Sequence, residues 1–457
     1  MDYWILLENG VPLFKTEKIN GVLTNCIPYS FEEAQSYKES LYPNSKLINI
    51  SEEIRQQGIE IGESRIFEQR QNIFNIWNTQ FLDNNINGFS MPKYVCDNDS
   101  YLNELSSLFE KYKNEVQKIA FKHEENLVED VTSNCDMLLQ ALNIYLDGDK
   151  NKAKTIISSL IKKYIDNTFW VSDLDKSYAF RGNAPFVDLH SEGYKKIYAN
   201  MMCGDIDFYR ARYGDVAKDK KQFLHIPYSL LNKVTEQRFS LKEQPCLYLG
   251  TSSYVCWIEC RKPELENFYI AGFRANELGK KLKNFNLVAS EPLANGIYSK
   301  GNDKEFNKEL QNSMLKLLPI VFATSFSVNN EYRQEKYEYI IPQLIMQALS
   351  ELNIDGVAYL SKQGKNDFQY PQGVNLAIPV LDISYEKEYG EVCNKFIITE
   401  PKGFKEYLES QTQSKSYINR AFSDYIITEK YNSDFQQYSK VDNVISGEKY
   451  KVYDNKI

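Results

Sequence analysis

Near Asp205 the hydrophobic pattern changes, and that change limits the folds open to the chain. Beyond it, short β-like runs at 208–212, 246–249, 268–273, 356–360 and 374–380 are interspersed with helical segments near 253–261, 303–317 and 335–352. The order is irregular, which suits an α+β fold and not the strict alternation of a doubly wound parallel sheet. Before it, residues 1–30 read as strand and loop, and the pattern from Phe31 to about Ile165 is mainly helical. Leu102, Leu105, Leu108 and Phe109 share one helical face, continued at Val128, Val131 and 137–145; Asp147-Gly148-Asp149 breaks it before one more amphipathic helix at 153–164. Such stripes are read as core-facing surfaces. The stretch 168–200 is irregular and aromatic and is expected to bridge two bodies. Beyond Asp382 the chain is charged and Tyr-punctuated, with a helix near 404–411 and a weakly ordered tail expected after about Tyr431.

Composition removes several function classes. Lys and Arg number 54 against 62 Asp and Glu, a formal net charge of −8, which argues against bulk capture of nucleic acid or an anionic membrane. Eight scattered Cys do not make a disulfide framework. The first residues lack the positive start of a signal peptide. The longest apolar runs, 317–326 and 339–349, fall short of the roughly 20 residues of a membrane span. A cytoplasmic, reducing setting is expected. The three histidines, His123, His190 and His225, form no His-Glu-x-x-His, and Gly-x-Ser-x-Gly, P-loop and Gly-x-Gly-x-x-Gly motifs are missing from the sequence. Cys256 and Cys260 have no second Cys/His pair nearby, so they are read as buried thiols and no metal site is expected. His225 is read as a packed, polar-satisfied histidine.

Chemistry concentrates between Phe208 and Arg261. Phe208-Tyr209-Arg210-Ala211-Arg212 is followed by Gln237-Arg238-Phe239-Ser240, then by Pro245-Cys246-Leu247-Tyr248-Leu249-Gly250. A helix then starts on Ser252 or Ser253, carries Glu259, and is ended by Pro263. Glu259 lies among Val255, Cys256, Ile258 and Cys260, surroundings in which a carboxylate is costly unless it meets a cation or a hydroxyl. The preceding arginines suit an anionic ligand, because guanidinium forks grip phosphate oxygens. Spacing alone leaves two readings open: an anion site, and a structural Arg–Glu pair in an unrelated fold.

These residues carry a resemblance. Residues 205–382 resemble the RES domain family, named for its Arg, Glu and Ser, whose members include NAD-degrading toxins. Tyr209-Arg210 looks like the family's opening Tyr-Arg, Arg238 like its Arg before an aromatic, Tyr248 like its strand Tyr, and Glu259 like its helical Glu. Asp355-Gly356-Val357-Ala358-Tyr359-Leu360-Ser361 is similar to its Asp-Gly-aliphatic-x-Tyr-x-Ser strand end. Long RES proteins with a helical N-terminal region also share His225–Pro227, Pro245–Gly250 and Glu338–Gln343. One departure is Glu236-Gln237, where the family has Gly-Gly.

The resemblance implies a compact two-sheet, ADP-ribosyltransferase-like α+β domain over 201–392. A mainly helical accessory or regulatory domain, 1–200, would precede it, and a partly disordered extension, 393–457, would follow. It implies NAD as substrate, with no cofactor and no metal, and cleavage of the nicotinamide–ribose bond by a glycohydrolase or phosphorylase acting as a bacterial toxin or phage-defence effector. Arg238, Glu259 and Ser361 would be catalytic, and Arg210, Arg212, Tyr248 and Tyr359 would bind NAD. An antitoxin or regulatory partner and a homo-oligomer fit the same picture. An ADP-ribosyltransferase modifying a macromolecule and a non-enzymatic NAD-binding sensor are the alternatives.

Overall fold

The computed structural model describes residues 3–8, 11–13, 15–19, 22–27, 29–40, 46–50, 86–120, 124–183, 207–214, 219–295, 304–328, 335–363, 373–384, 386–410 and 433–452. Its main sheet runs, edge to edge, through Lys451–Val452, Phe396–Ile398, Phe268–Ala275, Asp207–Tyr213, Cys246–Gly250, Val374–Pro379, Gly356–Leu360, Lys283–Leu287 and Val171–Asp173, with Lys402–Gly403 also paired to Phe268–Ala275. All pairings along it are antiparallel except Lys283–Leu287 with Gly356–Leu360. The architecture is mixed, with helices inserted irregularly between strands, as an α+β pattern requires.

The sheet is almost cut in two. Asp207–Tyr213 pairs with Phe268–Ala275 over seven residues but meets Cys246–Gly250 only at Tyr209 and Gly250. From that junction the two strands diverge, and a cleft opens between the halves of the sheet.

Helices Asn98–Ile119, Leu127–Leu146 and Lys150–Lys162 pack against helices Lys304–Ala323 and Ile340–Glu351. One apolar core runs without interruption from Ile86 in this layer to Ile398 in the sheet. The expected division at residue 200, and most of the expected bridge over 168–200, lie outside the described residues. Pro319 sits inside Lys304–Ala323 and has no N–H to offer the Leu315 carbonyl one turn back. The buried Tyr112 hydroxyl takes that place, donating to Leu315 O at 2.7 Å. Tyr101 and Asn134 donate to the Ala323 and Lys316 carbonyls of the same helix.

Toward the start of the chain, Tyr3–Glu8 pairs with Val11–Leu13 and Lys46–Ile50, with Leu6, Tyr29 and Ala34 forming a small core of their own. Toward the end, the structure departs from the weak order expected after Tyr431. Ser433–Ser446 is a helix whose Tyr438, Val441 and Ile445 are buried at i, i+3 and i+7. Its five apolar residues, Phe435, Tyr438, Val441, Val444 and Ile445, are spaced three and four apart among nine polar ones, inside a charged and polar stretch that hides the stripe.

Among the described residues no helix is long and apolar enough to cross a membrane.

Candidate functional site

The cleft has a volume of about 890 Å³ and is lined from both halves of the sheet and from the helix between them. Arg210 and Arg212 come from one wall, Tyr248, Tyr359 and Asn375 from the other, and Glu259 from the Ser253–Glu259 helix. That helix starts as its sequence requires: Ser252 is extended and its hydroxyl accepts from Val255 N at 3.0 Å. It ends at Glu259 because Arg261 and Lys262 both turn left-handed, with φ of 62° and 56°, just before Pro263. Two non-glycine residues in that region cost roughly 1–3 kcal/mol each, an expense that recurs at functional sites.

Glu259 lines the cleft, and through it the side chain is exposed to water. Its Oε1 accepts from Asn375 Nδ2 at 2.6 Å, and Ser361 is a near neighbour. Burial pushes the carboxyl pKa above the ordinary glutamate value; Ser361, Asn375, Arg238 and Lys362 pull the other way without cancelling it. The carboxylate is therefore held by a neutral donor, the Asn375 amide, and forms no ion pair with Arg238. That differs from the structural Arg–Glu pair that spacing left open.

Arg238 is anchored at the C-terminal end of Lys304–Ala323. Its two terminal nitrogens donate to Thr324 O at 2.9 Å and Phe326 O at 2.6 Å, and its guanidinium lies over the Tyr339 ring at 5.0 Å. Each terminal nitrogen keeps a second N–H for a ligand. Arg210 is buried deeper and bridges the diverging strands by donating to Tyr248 O at 2.7 Å. Its Nε has no hydrogen-bond partner among the described residues. Burial first, then neighbouring Arg212, lowers its pKa to about 9, which still leaves the group charged at neutral pH. Arg212 is half-buried, donates through Nε to Gln222 O at 2.8 Å, and has its pKa lowered by burial.

The two tyrosines form an aromatic wall. Tyr359 packs on Phe239, with ring centroids 4.3 Å apart, and the Tyr248 hydroxyl lies beside Cys246 and Ser240. Burial raises both phenol pKa values, so both rings are neutral. Ser361 is buried at the end of Gly356–Leu360, neighbours Glu259 and does not line the open cleft. The seven residues singled out in sequence thus converge on one place, six on the cleft surface and Ser361 buried next to Glu259.

Sequence reasoning missed Asn375, Lys362 and Tyr339. Asn375 had a readable signal: it is the one strongly polar residue in the buried strand Val374–Pro379. Lys362, also buried, follows Ser361 directly. His225 is a packing residue, as read: its ring accepts at Nε2 from Gly390 N at 2.8 Å, its Nδ1 lies 2.7 Å from Ile226 O, and burial lowers its pKa. Cys256 is a buried thiol whose Sγ lies 3.2 Å from Tyr209 O, and Cys260 is half-buried. Among the described residues no group of three or more His, Cys, Asp or Glu could hold a metal ion.

No family model matches the chain. It is 26% identical over 217 residues to a Bacillus subtilis (strain 168) protein named "Putative toxin YopC", a match covering 46% of this chain and 49% of that protein. The chain thus spans about half the length of the curated relative it matches. Among solved structures, the M. tuberculosis MbcT–MbcA toxin–antitoxin complex aligns with 43% of this chain and 83% of its own matched chain. The identity is 12% and the TM-score 0.23, a likeness too low to carry an argument. The chain is therefore similar, over part of its length, to a protein named as a toxin.

Proposed function

We propose that the protein consumes NAD by breaking the nicotinamide–ribose bond, and acts as a toxin or defence effector. The observation that carries this reading is Glu259: a cleft-facing carboxylate held by Asn375, beside a cationic wall and an aromatic one. The partial similarity to a protein named as a toxin supports the biological setting.

The chemistry asks for little else. The C1′–N1 bond breaks, its electron pair leaves with nicotinamide, and the ribose carbon passes through an oxocarbenium-like state. Glu259 stabilises the charge developing there, and its hydrogen bond from Asn375 keeps it in position without reorganisation. Arg238, with Arg210 and Arg212, faces the pyrophosphate. Tyr248 and Tyr359 pack against the nicotinamide end. A water or phosphate oxygen then bonds to C1′ and releases a proton to solvent, giving ADP-ribose or its 1″-phosphate. The reading includes an ADP-ribosyltransferase-like arrangement of the half-sheets, no metal or cofactor, and an antitoxin or other regulatory partner.

The test is to incubate purified protein with NAD, with and without phosphate, and to identify the products. Release of free nicotinamide with ADP-ribose or its phosphate is expected. NAD left intact in both conditions would overturn the reading.

A further inference from the structure

The helix carrying Glu259 is short, and its footing comes from a distant part of the chain. Ser253–Glu259 has seven residues, too few to be stable alone. Val255 and Cys256 sit in an apolar cluster separate from the main core, together with Tyr209, Ala211, Phe268, Ile270, Phe404, Tyr407, Tyr438, Val441 and Ile445. Tyr438, Val441 and Ile445 come from the Ser433–Ser446 helix, and the Tyr438 ring lies 5.2 Å from Tyr254 and 5.4 Å from Trp257.

Polar contacts make this footing directional. Asp442 is buried on the same face, and its Oδ1 accepts from Ser253 N, the first N–H of the Glu259 helix, at 3.0 Å. Ser253 Oγ donates to Tyr438 O at 3.3 Å. Ser252 already serves Val255 N, so two of the helix's free N–H groups have acceptors, one local and one 189 residues away. The Tyr209 hydroxyl donates to Asp442 O at 3.2 Å and ties the C-terminal helix to the strand that carries Arg210. Gly272 permits the close approach: a Cβ there would stand 2.4 Å from Ile445 and 2.7 Å from the Tyr450 hydroxyl.

We propose that Asp442 is a positioning residue: from the C-terminal helix it caps and braces the Ser253–Glu259 helix, and so holds the Glu259 carboxylate against Asn375. The carboxylate is well placed to do so, because negative charge at a helix N-terminus opposes the positive end of the helix dipole. Asp442 does not line the cleft. It acts through the helix, so its loss should affect the reacting geometry more than NAD binding. The functional half of this inference rests on the NAD-cleaving reading; the structural half does not.

The experiment has two readouts on the full chain. Amide hydrogen exchange over residues 253–259, followed by mass spectrometry without NAD, reports the brace itself. NAD turnover reports its consequence. Asp442→Ala should speed exchange in that helix about tenfold and lower kcat about tenfold, the factor an ordinary lost helix cap corresponds to, with KM within threefold. Asp442→Asn keeps an acceptor oxygen and should restore most of both. Should Asp442→Ala fail to fold, Ser253→Pro removes the same bond from the donor side, at a helix position that tolerates proline after an extended residue; it should give the same faster exchange at 254–259. Unchanged exchange in folded Asp442→Ala or Ser253→Pro overturns the brace whatever the turnover. Exchange that responds as expected in a chain without NAD turnover upholds the brace and counts against the NAD reading alone.

Discussion

At the scale of single residues, the site works by contrast between two kinds of charged group. Glu259 accepts from the neutral Asn375 amide, while Arg238 has two backbone carbonyls to hold. Removing each should therefore look different. Arg238→Ala takes away a phosphate contact and leaves the Thr324 and Phe326 carbonyls without their donor. A raised KM for NAD and a loss of roughly 1–3 kcal/mol in stability are expected, measured by kinetics and denaturant unfolding; neither changing would count against its placement. Glu259 also sets a pH dependence. Its folded-state pKa is raised, so its contribution favours the folded state at acid pH and falls away as pH rises through the unfolded value toward the folded one. The melting temperature of Glu259→Gln should therefore gain on wild type between acid and neutral pH. Turnover, which needs the carboxylate, should rise with pH through a range above the ordinary glutamate value. A melting difference that shrinks as pH rises would show that the carboxyl pKa is not raised.

At the scale of elements, the clearest test is the Pro319 helix. If the Tyr112 hydroxyl replaces the missing proline N–H, Tyr112→Phe leaves the Leu315 carbonyl buried and unpaired, at a cost of about 1–3 kcal/mol. In a Pro319→Ala background, where the helix supplies its own donor, the same change should cost much less. Equal costs in both backgrounds would refute the substitution. Element by element, the sequence showed what local pattern can show. The Ser252 cap and the Cys246–Gly250 and Gly356–Leu360 strands were readable because their apolar spacing and punctuation are local. The strand Lys283–Leu287 has no such local signal, since Asn284 and Asn286, which donate to Ser177 Oγ and the Phe169 carbonyl, disguise a core strand as polar chain. Glu259 stood out as a charge among apolar neighbours. Asn375, its partner, is 116 residues away, and only tertiary structure joins them.

At the scale of the whole molecule, the near-break between Asp207–Tyr213 and Cys246–Gly250 makes the cleft, and distant chain segments stabilise both of its sides. The helices at 98–162 share the core of helices Lys304–Ala323 and Ile340–Glu351, the first of which holds Arg238 at its end. A chain beginning at residue 201 would expose that shared core and should not fold cooperatively. One beginning at residue 86 keeps it and should melt cooperatively and retain turnover, as calorimetry and NAD assays would report. A cooperative, active 201–457 fragment would instead place residues 86–183 outside the folding unit. The measurement that bears most directly on the whole account is NAD turnover of Glu259→Gln, recorded beside its melting temperature and NAD affinity. Loss of the carboxylate should cut turnover 10²-fold or more, about 2.7 kcal/mol of barrier, with melting not lowered and NAD affinity largely kept. Near-normal turnover per folded molecule would contradict the account.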